Sequence, residues 1–509
     1  MQFNNSRFKN SLRNSSIAFI GQIVTIVLGF VLRWFFIHTL GQDYLGVNSV
    51  MESMLSLLSM TELGIGTSVA FALYKPIDDG DEQRIGQLMA FYRKTYHALG
   101  VLTAVVGPML IPFMRFFTRE ATDISGLNAI YLLFLLNTVL SYFFAYKRTL
   151  LSAYQNNYIN SLSEDVFAII KYILQGVAII CFKSYIGYLV INIVCTLLSN
   201  VVISVVCDKM YPFVKQYRKE HLVPEDKATL KKSIVSLMYQ KIGAKLVTGT
   251  DNLMISYAKL TLMGIYSNYA MVVSIVSRIV YSVLCSITGS IGNLMVQKDN
   301  SRKYNVYEEF VFATFAFYFF ISIGFSACLE RFIALWAGED WLLPHMVTFL
   351  VILNFFLTGM RQPNIVIIEA AGLFNNLRLK AIGEVVVNLV VSYIFLVVCN
   401  MGIYGVLFGT TVSMVSVCIW WETLAVHKYA LYTSSKRYFV SYIKYLVIAA
   451  AGCFLAFFAS EYIPVDGILG LALSGVAASA IYALIILIFF GRSSMFQSLL
   501  LRFKKRGVI

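Results

Sequence analysis

Long apolar runs, separated by short polar segments, dominate the chain. A membrane-spanning helix needs about 20 predominantly apolar residues, and fourteen runs come close to that length. The pattern therefore predicts an all-α polytopic membrane protein with about 14 transmembrane helices. The predicted spans cover residues 17–40, 46–74, 95–114, 126–147, 164–182, 186–207, 234–258, 264–294, 306–329, 344–368, 381–399, 403–424, 441–459 and 466–490.

Composition and charge agree with a membrane protein. Of the 509 residues, 58% are apolar and 13% are charged, whereas soluble domains carry about 25% charged residues. In a soluble protein, the net charge of +14 would suggest binding to nucleic acid. Here, however, 29 of the 41 Lys and Arg residues fall in alternate connecting segments and the termini. The positive-inside rule then predicts that both termini are cytoplasmic. The basic loop 208–232 is either a topology signal or a partner site.

Similar phrases recur along the chain at nearly constant offsets. The matched pairs, with offsets of 218, 215 and 219 positions, are Gly46 with Gly264, Gly187 with Gly402, and Asp165 with Glu384. We interpret these offsets as duplication of a six-helix unit. Parallel repeats of this kind place a substrate site between the two halves near the membrane midplane. The predicted domains are an N lobe at 1–215, a C lobe at 216–435, and two extra helices with a basic tail at 436–509.

Charged residues inside the predicted spans are the candidate functional residues, because a charge facing lipid is costly. The candidate substrate-binding residues are Arg33, Lys241, Lys245, Arg278 and Arg361, and the candidate coupling or structural acids are Glu52, Glu62 and Asp251. Pointing all of them into one wet cavity would lower their cost. Since the basic residues outnumber the acids, the cavity would suit a phosphate-bearing substrate, which Arg binds through its fork and Lys as a point charge.

Structural roles remain open for several of these residues. Lys241 would also be explained by snorkelling to the inner interface, and Arg33 with Glu52 by a purely structural ion pair. Glu62 precedes Leu-Gly-Ile-Gly and would also be explained by hydrogen bonds to a broken helix end.

Motifs for catalysis or cofactor binding do not occur in the sequence. The eight cysteines and five histidines are scattered, and there is no G-x-x-x-x-G-K-[ST] motif for nucleotide binding. We therefore expect a transporter rather than an enzyme, with no catalytic residues, no cofactor and no metal.

Three segments resemble one known group of transporters. They are LGQDYLGVNSVMESMLSLLSMTELGIGTSVAFALYKP, KIGAKLVTGTDNLMIS and AAGLFNNLRLKAIGE. They are similar to the polysaccharide-exporter (Wzx-type) branch of the multidrug/oligosaccharidyl-lipid/polysaccharide (MOP) flippase superfamily. The resemblance implies a flippase that moves undecaprenyl-diphosphate-linked oligosaccharide across a bacterial plasma membrane by alternating access. It also implies that Arg33, Lys245 and Arg278 correspond to the cationic residues that line the family's central cavity.

The expected partners are the lipid-linked oligosaccharide, membrane lipids, and a polysaccharide polymerase with its chain-length machinery, but no nucleic acid. Alternatives within the superfamily are a cation-coupled multidrug exporter, which would need an acid-dominated cavity, and a lipid II flippase. A membrane glycosyltransferase or polymerase would need a large outer loop, and no predicted outer loop is long. A non-transporting lipid scaffold is the remaining alternative.

Overall fold

The protein is built from helices throughout the part that the structure describes. The computed structural model describes the backbone of residues 2–498, apart from residues 63, 120, 122–123, 218–219, 296–298 and 494. Within this range, side chains are not described at residues 2–19, 61, 236, 239–241, 244, 283, 285–295, 374–375 and 378. No strand occurs among the described residues, so the predicted all-α fold is confirmed.

The described residues form eighteen α-helices, joined in places by short 3₁₀ or π-helical turns. The helices are α1 Gln2–Leu58, α2 Ile65–Asp79, α3 Glu82–Val106, α4 Ile111–Phe117, α5 Leu127–Ala153, α6 Asn157–Phe182, α7 Tyr185–Met210, α8 Phe213–Gln216, α9 Pro224–Ala258, α10 Leu260–Met295, α11 Asn300–Ala337, α12 His345–Met360, α13 Gln362–Ala371, α14 Arg378–Tyr393, α15 Ile403–Ser413, α16 Ile419–Val426, α17 Lys436–Glu461 and α18 Gly467–Phe490.

Twelve helices in the described part are long and apolar enough to cross a membrane. The count is lower than fourteen for two reasons. The first two predicted spans share the continuous segment Ile20–Leu58, which bends where Gly41 has a φ of 84°, a value that suits glycine because it lacks a Cβ. The seventh predicted span lies in α9, which carries several charged residues and is not among the twelve.

The second predicted span is broken within the structure. After α1 ends at Leu58, a 3₁₀ turn covers Ser59–Glu62, and α2 begins after Gly64, whose φ is 89°. A Cβ on Gly64 would lie 3.0 Å from the Leu237 Cβ and the Met238 backbone nitrogen on α9. The run that reads as one apolar span is therefore a helix, a turn and a second helix, with Glu62 at the break.

The chain forms two compact units, Met1–Gly264 (the first unit) and Ile265–Ile509 (the second unit). In the first unit, α1 packs on α6 and α9, while α5 packs on α3 and α7. A core of buried tyrosines joins α3 to α5, where the ring centroids of Tyr96 and Tyr142 lie 5.9 Å apart. The predicted lobe boundaries after residues 215 and 435 describe a sequence repeat, and they stay predictions.

In the second unit, α17 and α18 pack on α11. The contact is rich in aromatic rings: Phe315 stacks on Tyr445 at 4.2 Å and lies 5.5 Å from Phe490. At the other end of these helices, Arg331 donates hydrogen bonds to the carbonyl oxygens of Ile463 and Val465 at 3.0 and 2.9 Å. The two helices outside the sequence repeat are thus held against α11 at both ends.

Two glycines of the sequence repeat meet at one close helix contact. A Cβ on Gly46 in α1 would lie 2.5 Å from the carbonyl oxygen of Leu260, and a Cβ on Gly264 would overlap the carbonyl oxygen of Gln42. Each glycine therefore faces the carbonyl four residues before the other. Any larger residue would separate the two helices, which explains why both repeated phrases contain glycine.

Candidate functional site

Arg33, Glu52 and Lys171 form a charged cluster where α1 packs on α6 in the first unit. Glu52 interacts electrostatically with both Arg33 and Lys171. Its Oε1 also accepts a hydrogen bond from Asn48 Nδ2 at 2.9 Å, and the Asn48 Oδ1 accepts one from the Tyr185 hydroxyl at 3.2 Å. The Glu52 residue is nonetheless exposed in the structure. Sequence reasoning expected Arg33 beside Glu52 and did not use Lys171.

Glu62 and Lys245 lie close together where α9 passes the break between α1 and α2. Glu62 interacts electrostatically with Lys245, and the Lys245 Nζ donates a hydrogen bond to the Ser56 Oγ at 3.3 Å. The Lys245 side chain is exposed. Because an ammonium has three N–H donors, Lys245 can hold Ser56 and still donate to an anion.

The other two candidates on α9 differ in what the structure shows. Asp251 is 7% exposed and therefore buried, and the neighbouring Asn252 donates a hydrogen bond to the Ser53 Oγ at 3.1 Å. The side chain of Lys241 lies outside the described residues. The proposed snorkelling of Lys241 therefore stays a prediction.

Arg278 belongs to the second unit, where it lies on α10 with its side chain exposed. The two serines nearest to it on the preceding turn, Ser274 and Ser277, donate their hydroxyl hydrogens to carbonyls of their own helix. Arg278 is thus an exposed cation on an apolar helix, and guanidinium groups bind anions in forked geometry.

Arg361 lies in a buried four-residue ion cluster in the second unit. Its Nε and Nη2 donate to the two carboxylate oxygens of Glu422 at 3.0 and 2.6 Å. Lys380 Nζ lies 2.8 Å from Glu422 Oε1 and 2.8 Å from Glu384 Oε2. Glu384 also lies 3.6 Å from the Arg361 Nη1. Two cations and two anions balance, so the fork of Arg361 is occupied by protein carboxylates.

An equivalent ion pair occurs in the first unit. Lys147 Nζ, at the end of α5, lies 2.6 Å from the Asp208 Oδ1 on α7 and 2.6 Å from the Ser204 Oγ. Arg361 follows Lys147 by 214 positions, and Glu422 follows Asp208 by the same 214. Both pairs thus join corresponding elements of the sequence repeat, although Arg replaces Lys and Glu replaces Asp.

Sequence reasoning missed the partners of Arg361. Lys380, Glu384 and Glu422 are all buried or half-buried, and Glu422 lies inside the predicted span 403–424. An acid within an apolar span is itself a sign of a buried partner. Searching charged residues at spacings close to the repeat offsets, down to 214 positions, would have paired Lys147 with Arg361 and Asp208 with Glu422.

The candidate residues therefore differ in whether their charge is paired with an opposite charge in the protein. Arg361 is neutralised by carboxylates, and Arg33 and Glu52 are electrostatic partners. Lys245 on α9 and Arg278 on the apolar helix α10 are exposed cations. Among the described His, Cys, Asp and Glu residues, no group of three or more is placed to hold a metal ion.

Comparison with solved structures identifies the fold. No family model matches the chain, and no curated protein matches it in sequence. The lipid II flippase MurJ in an inward closed conformation is similar with a TM-score of 0.64 and 13% identity, over 93% of this chain and 98% of that chain. A multidrug resistance MATE family transporter of the MOP superfamily, in an inward-facing conformation, has a TM-score of 0.61 and 12% identity, over 81% and 98%.

A third neighbour is a MOP superfamily transporter from Pyrococcus furiosus, for which a binding pocket of reverse polarity is described. Its TM-score is 0.51 with 14% identity, over 84% of this chain and 97% of that chain. By their names these neighbours are transporters and a flippase. The chain shares their all-helical fold.

Proposed function

We propose that the protein is a flippase of lipid-linked oligosaccharides. It would move an undecaprenyl-diphosphate-linked repeat unit from the inner to the outer face of a bacterial plasma membrane by alternating access, for assembly of a cell-surface polysaccharide. This is the function implied by the resemblance to the polysaccharide-exporter branch. The MOP fold supports the transport mechanism, and the substrate class rests on the distribution of charge.

The exposed cations on α9 and α10 carry the proposal. Lys245 on α9 and Arg278 on the apolar helix α10 are exposed, whereas Glu384 and Glu422 are bound by Arg361 and Lys380. A cation at membrane depth is costly unless it faces water or an anion. A diphosphate supplies several acceptor oxygens and a net negative charge, and both Lys and Arg bind such groups.

The extent of the structural match favours a lipid flippase over a drug exporter. The MATE family neighbour covers 81% of this chain, whereas the lipid II flippase covers 93%. An alignment over 93% of this chain is long enough to include α17 and α18. These two helices pack on α11 as part of the second unit. A lipid II flippase remains the second candidate because its substrate is also a lipid-linked molecule.

A cation-coupled drug exporter is less well supported. A cationic drug needs an accessible carboxylate without a nearby cation, and the exposed Glu52 interacts with both Arg33 and Lys171. We further propose that both termini are cytoplasmic, because Lys and Arg are concentrated in the segments on that side. A polysaccharide polymerase and its chain-length machinery would take up the exported unit.

A reconstituted flipping assay tests the proposed function. Purified protein in liposomes is given a fluorescent undecaprenyl-diphosphate oligosaccharide, and a membrane-impermeant quencher measures how fast the label equilibrates between leaflets. We expect acceleration for this lipid and none for a glycolipid of the same sugar without phosphate. Equal acceleration of both lipids would contradict a diphosphate-reading flippase. Preference for lipid II, or for a cationic dye in an efflux version, would favour the corresponding alternative.

A further inference from the structure

A basic cavity lies in the first unit, and the candidate transport residues do not line it. It has a volume of about 540 Å³ and is formed by α3, α5, α7 and the short helix after α7. Its Arg, Lys, His and Asp lining residues are Arg93, His97, Lys147, Asp208 and Lys215. None of the eight candidate site residues from the sequence lines it within the described part of the chain. We call it the α3–α7 cavity.

Positive charge exceeds negative charge in this cavity. Asp208 is shared by two lysines, since its Oδ1 lies 2.6 Å from Lys147 Nζ and its Oδ2 lies 3.2 Å from Lys215 Nζ. Arg93 adds a third cation, and its buried Nε has no hydrogen-bond partner among the described residues. A buried donor without an acceptor costs free energy, so this wall of the cavity is suited to an anion.

Apolar side chains form the remainder of the cavity. Leu140, Phe143, Phe144 and Leu197 line its walls. On α7, Val201 and Val205 lie within one helical turn of Ser204 and are exposed, so they extend the apolar wall along the outside of the helix. An anionic head beside an apolar groove matches an amphipathic molecule better than it matches free phosphate.

The position in the topology points to the same ligand. Lys147 and Asp208 lie at the ends of spans that sequence charge places at the cytoplasmic face, next to the basic loop 208–232. The cytoplasmic leaflet carries anionic lipids, and basic pockets between membrane helices on that side bind phosphate head groups. The charge, the apolar wall and the location therefore agree.

We propose that the α3–α7 cavity binds the phosphate head group of an anionic phospholipid, with Arg93 and Lys215 donating to the phosphate and the acyl chains lying along α7. Lys147 positions Asp208 and Ser204 and keeps the cavity cationic. This site is separate from the transport residues, and it goes beyond the proposed function. Its test measures lipid retention rather than transport, so the two can fail independently.

Native mass spectrometry on the purified full chain tests this site. The protein is delipidated in detergent and titrated with phosphatidylglycerol, with phosphatidylcholine as the zwitterionic comparison. We expect tighter retention of phosphatidylglycerol. Arg93→Gln and Lys215→Gln should each weaken it at least about tenfold, because each loses a charge-assisted contact. Lys94→Gln is the matched control, since Lys94 is exposed on the same helix and does not line the cavity.

Several outcomes would overturn the proposal. They are equal retention of both lipids, equal loss in Lys94→Gln, competition by inorganic phosphate as strong as by the lipid, or retention of a polyprenyl diphosphate alone. Misfolding does not explain a loss in Lys215→Gln, since that side chain is 63% exposed on a short surface helix. Arg93→Lys, which keeps the charge, should recover part of the lipid binding. If Arg93→Lys recovers none and Lys215→Gln binds the lipid normally, the proposed site is also contradicted.

Discussion

Replacing Glu422 with glutamine should destabilise the second unit by about 3–5 kcal/mol, because removal of one partner from a buried ion pair leaves an uncompensated charge. The Glu422 side chain is 3% exposed, and those of Arg361 and Lys380 are 12% and 13% exposed. In the wild type, two cations face two carboxylates. In Glu422→Gln the same two cations share Glu384 alone, so one positive charge is left without a counter-ion.

The size of the destabilisation distinguishes an unbalanced buried charge from the loss of hydrogen bonds alone. An ordinary side-chain hydrogen bond between membrane helices is worth about 0.6 kcal/mol on average. Glu422 accepts two hydrogen bonds from Arg361, so loss of hydrogen bonds alone would amount to roughly 1 kcal/mol. A larger loss must come from the unbalanced charge. The double variant Arg361→Gln with Glu422→Gln restores the balance between Lys380 and Glu384.

The assay is unfolding of the purified protein in mixed detergent, followed through the fluorescence of its five tryptophans, two of which, Trp420 and Trp421, precede Glu422 in the chain. The double variant should be less destabilised than the sum of the two single variants, as a double-mutant cycle requires for coupled charges. Asp208→Asn in the first unit is the matched control, and its cost should be smaller because the Asp208 side chain is 23% exposed. A cost below about 1 kcal/mol for Glu422→Gln, or additive single effects, would refute the closed cluster.

Three further predictions concern transport and topology. Lys245→Ala and Arg278→Ala should each lower export per membrane-inserted molecule by about tenfold or more, since each loses a charge-assisted contact worth about 1.5–3 kcal/mol; full activity in both would remove the case for a diphosphate substrate. Glu52→Gln should reduce the yield of folded protein more than transport per molecule if it serves Arg33 structurally, and the reverse result would make it a coupling residue. A reporter at Asp340 should read external and one at Ile509 cytoplasmic, and an external carboxyl terminus would contradict the predicted orientation.

The helical fold could be predicted from the sequence because its physical cause is local. Inside a membrane every backbone polar group must be hydrogen-bonded within the protein, and a helix achieves this within one segment. An apolar run of sufficient length therefore predicts a helix by itself. Breaks within such runs are harder to predict. Residues 59–64 read SMTELG inside the predicted span 46–74, and the glycines after Glu62 already allowed a broken helix end. The contact of Gly64 with α9, by contrast, is not visible in the local sequence.

The candidate site was less predictable than the fold. Sequence identifies which charges lie inside spans, but whether a charge is exposed or paired depends on helices far away in the chain. Arg361 reads like Arg278, as an isolated guanidinium in an apolar run. The structure distinguishes them because Glu422 lies 61 positions further along and meets Arg361 across the helix contact. Depth along a helix was available from the sequence, whereas the direction in which each side chain projects was not.

The paired ion contacts add a physical argument for the sequence repeat. Lys147 with Asp208 and Arg361 with Glu422 are separated by one shared offset of 214 positions, and each pair joins the matching elements of its own unit. Conservative exchange of Lys for Arg and Asp for Glu preserves the pairing while the surroundings differ. In the second unit Lys380 and Glu384 complete a closed, neutral cluster.

At the positions that match Lys380 and Glu384, the described residues of the first unit form no ion pair with Lys147. The position 219 residues before Lys380 is Ser161, and the one before Glu384 is Asp165, which lies against Gly21 on α1 rather than beside Lys147. The first-unit pair therefore remains next to an open cavity with surplus positive charge, while its counterpart is sealed by its own carboxylates. Each unit thus has an ion pair between corresponding predicted spans, but the first-unit pair lines the α3–α7 cavity, whereas Arg361 is bound by Glu422.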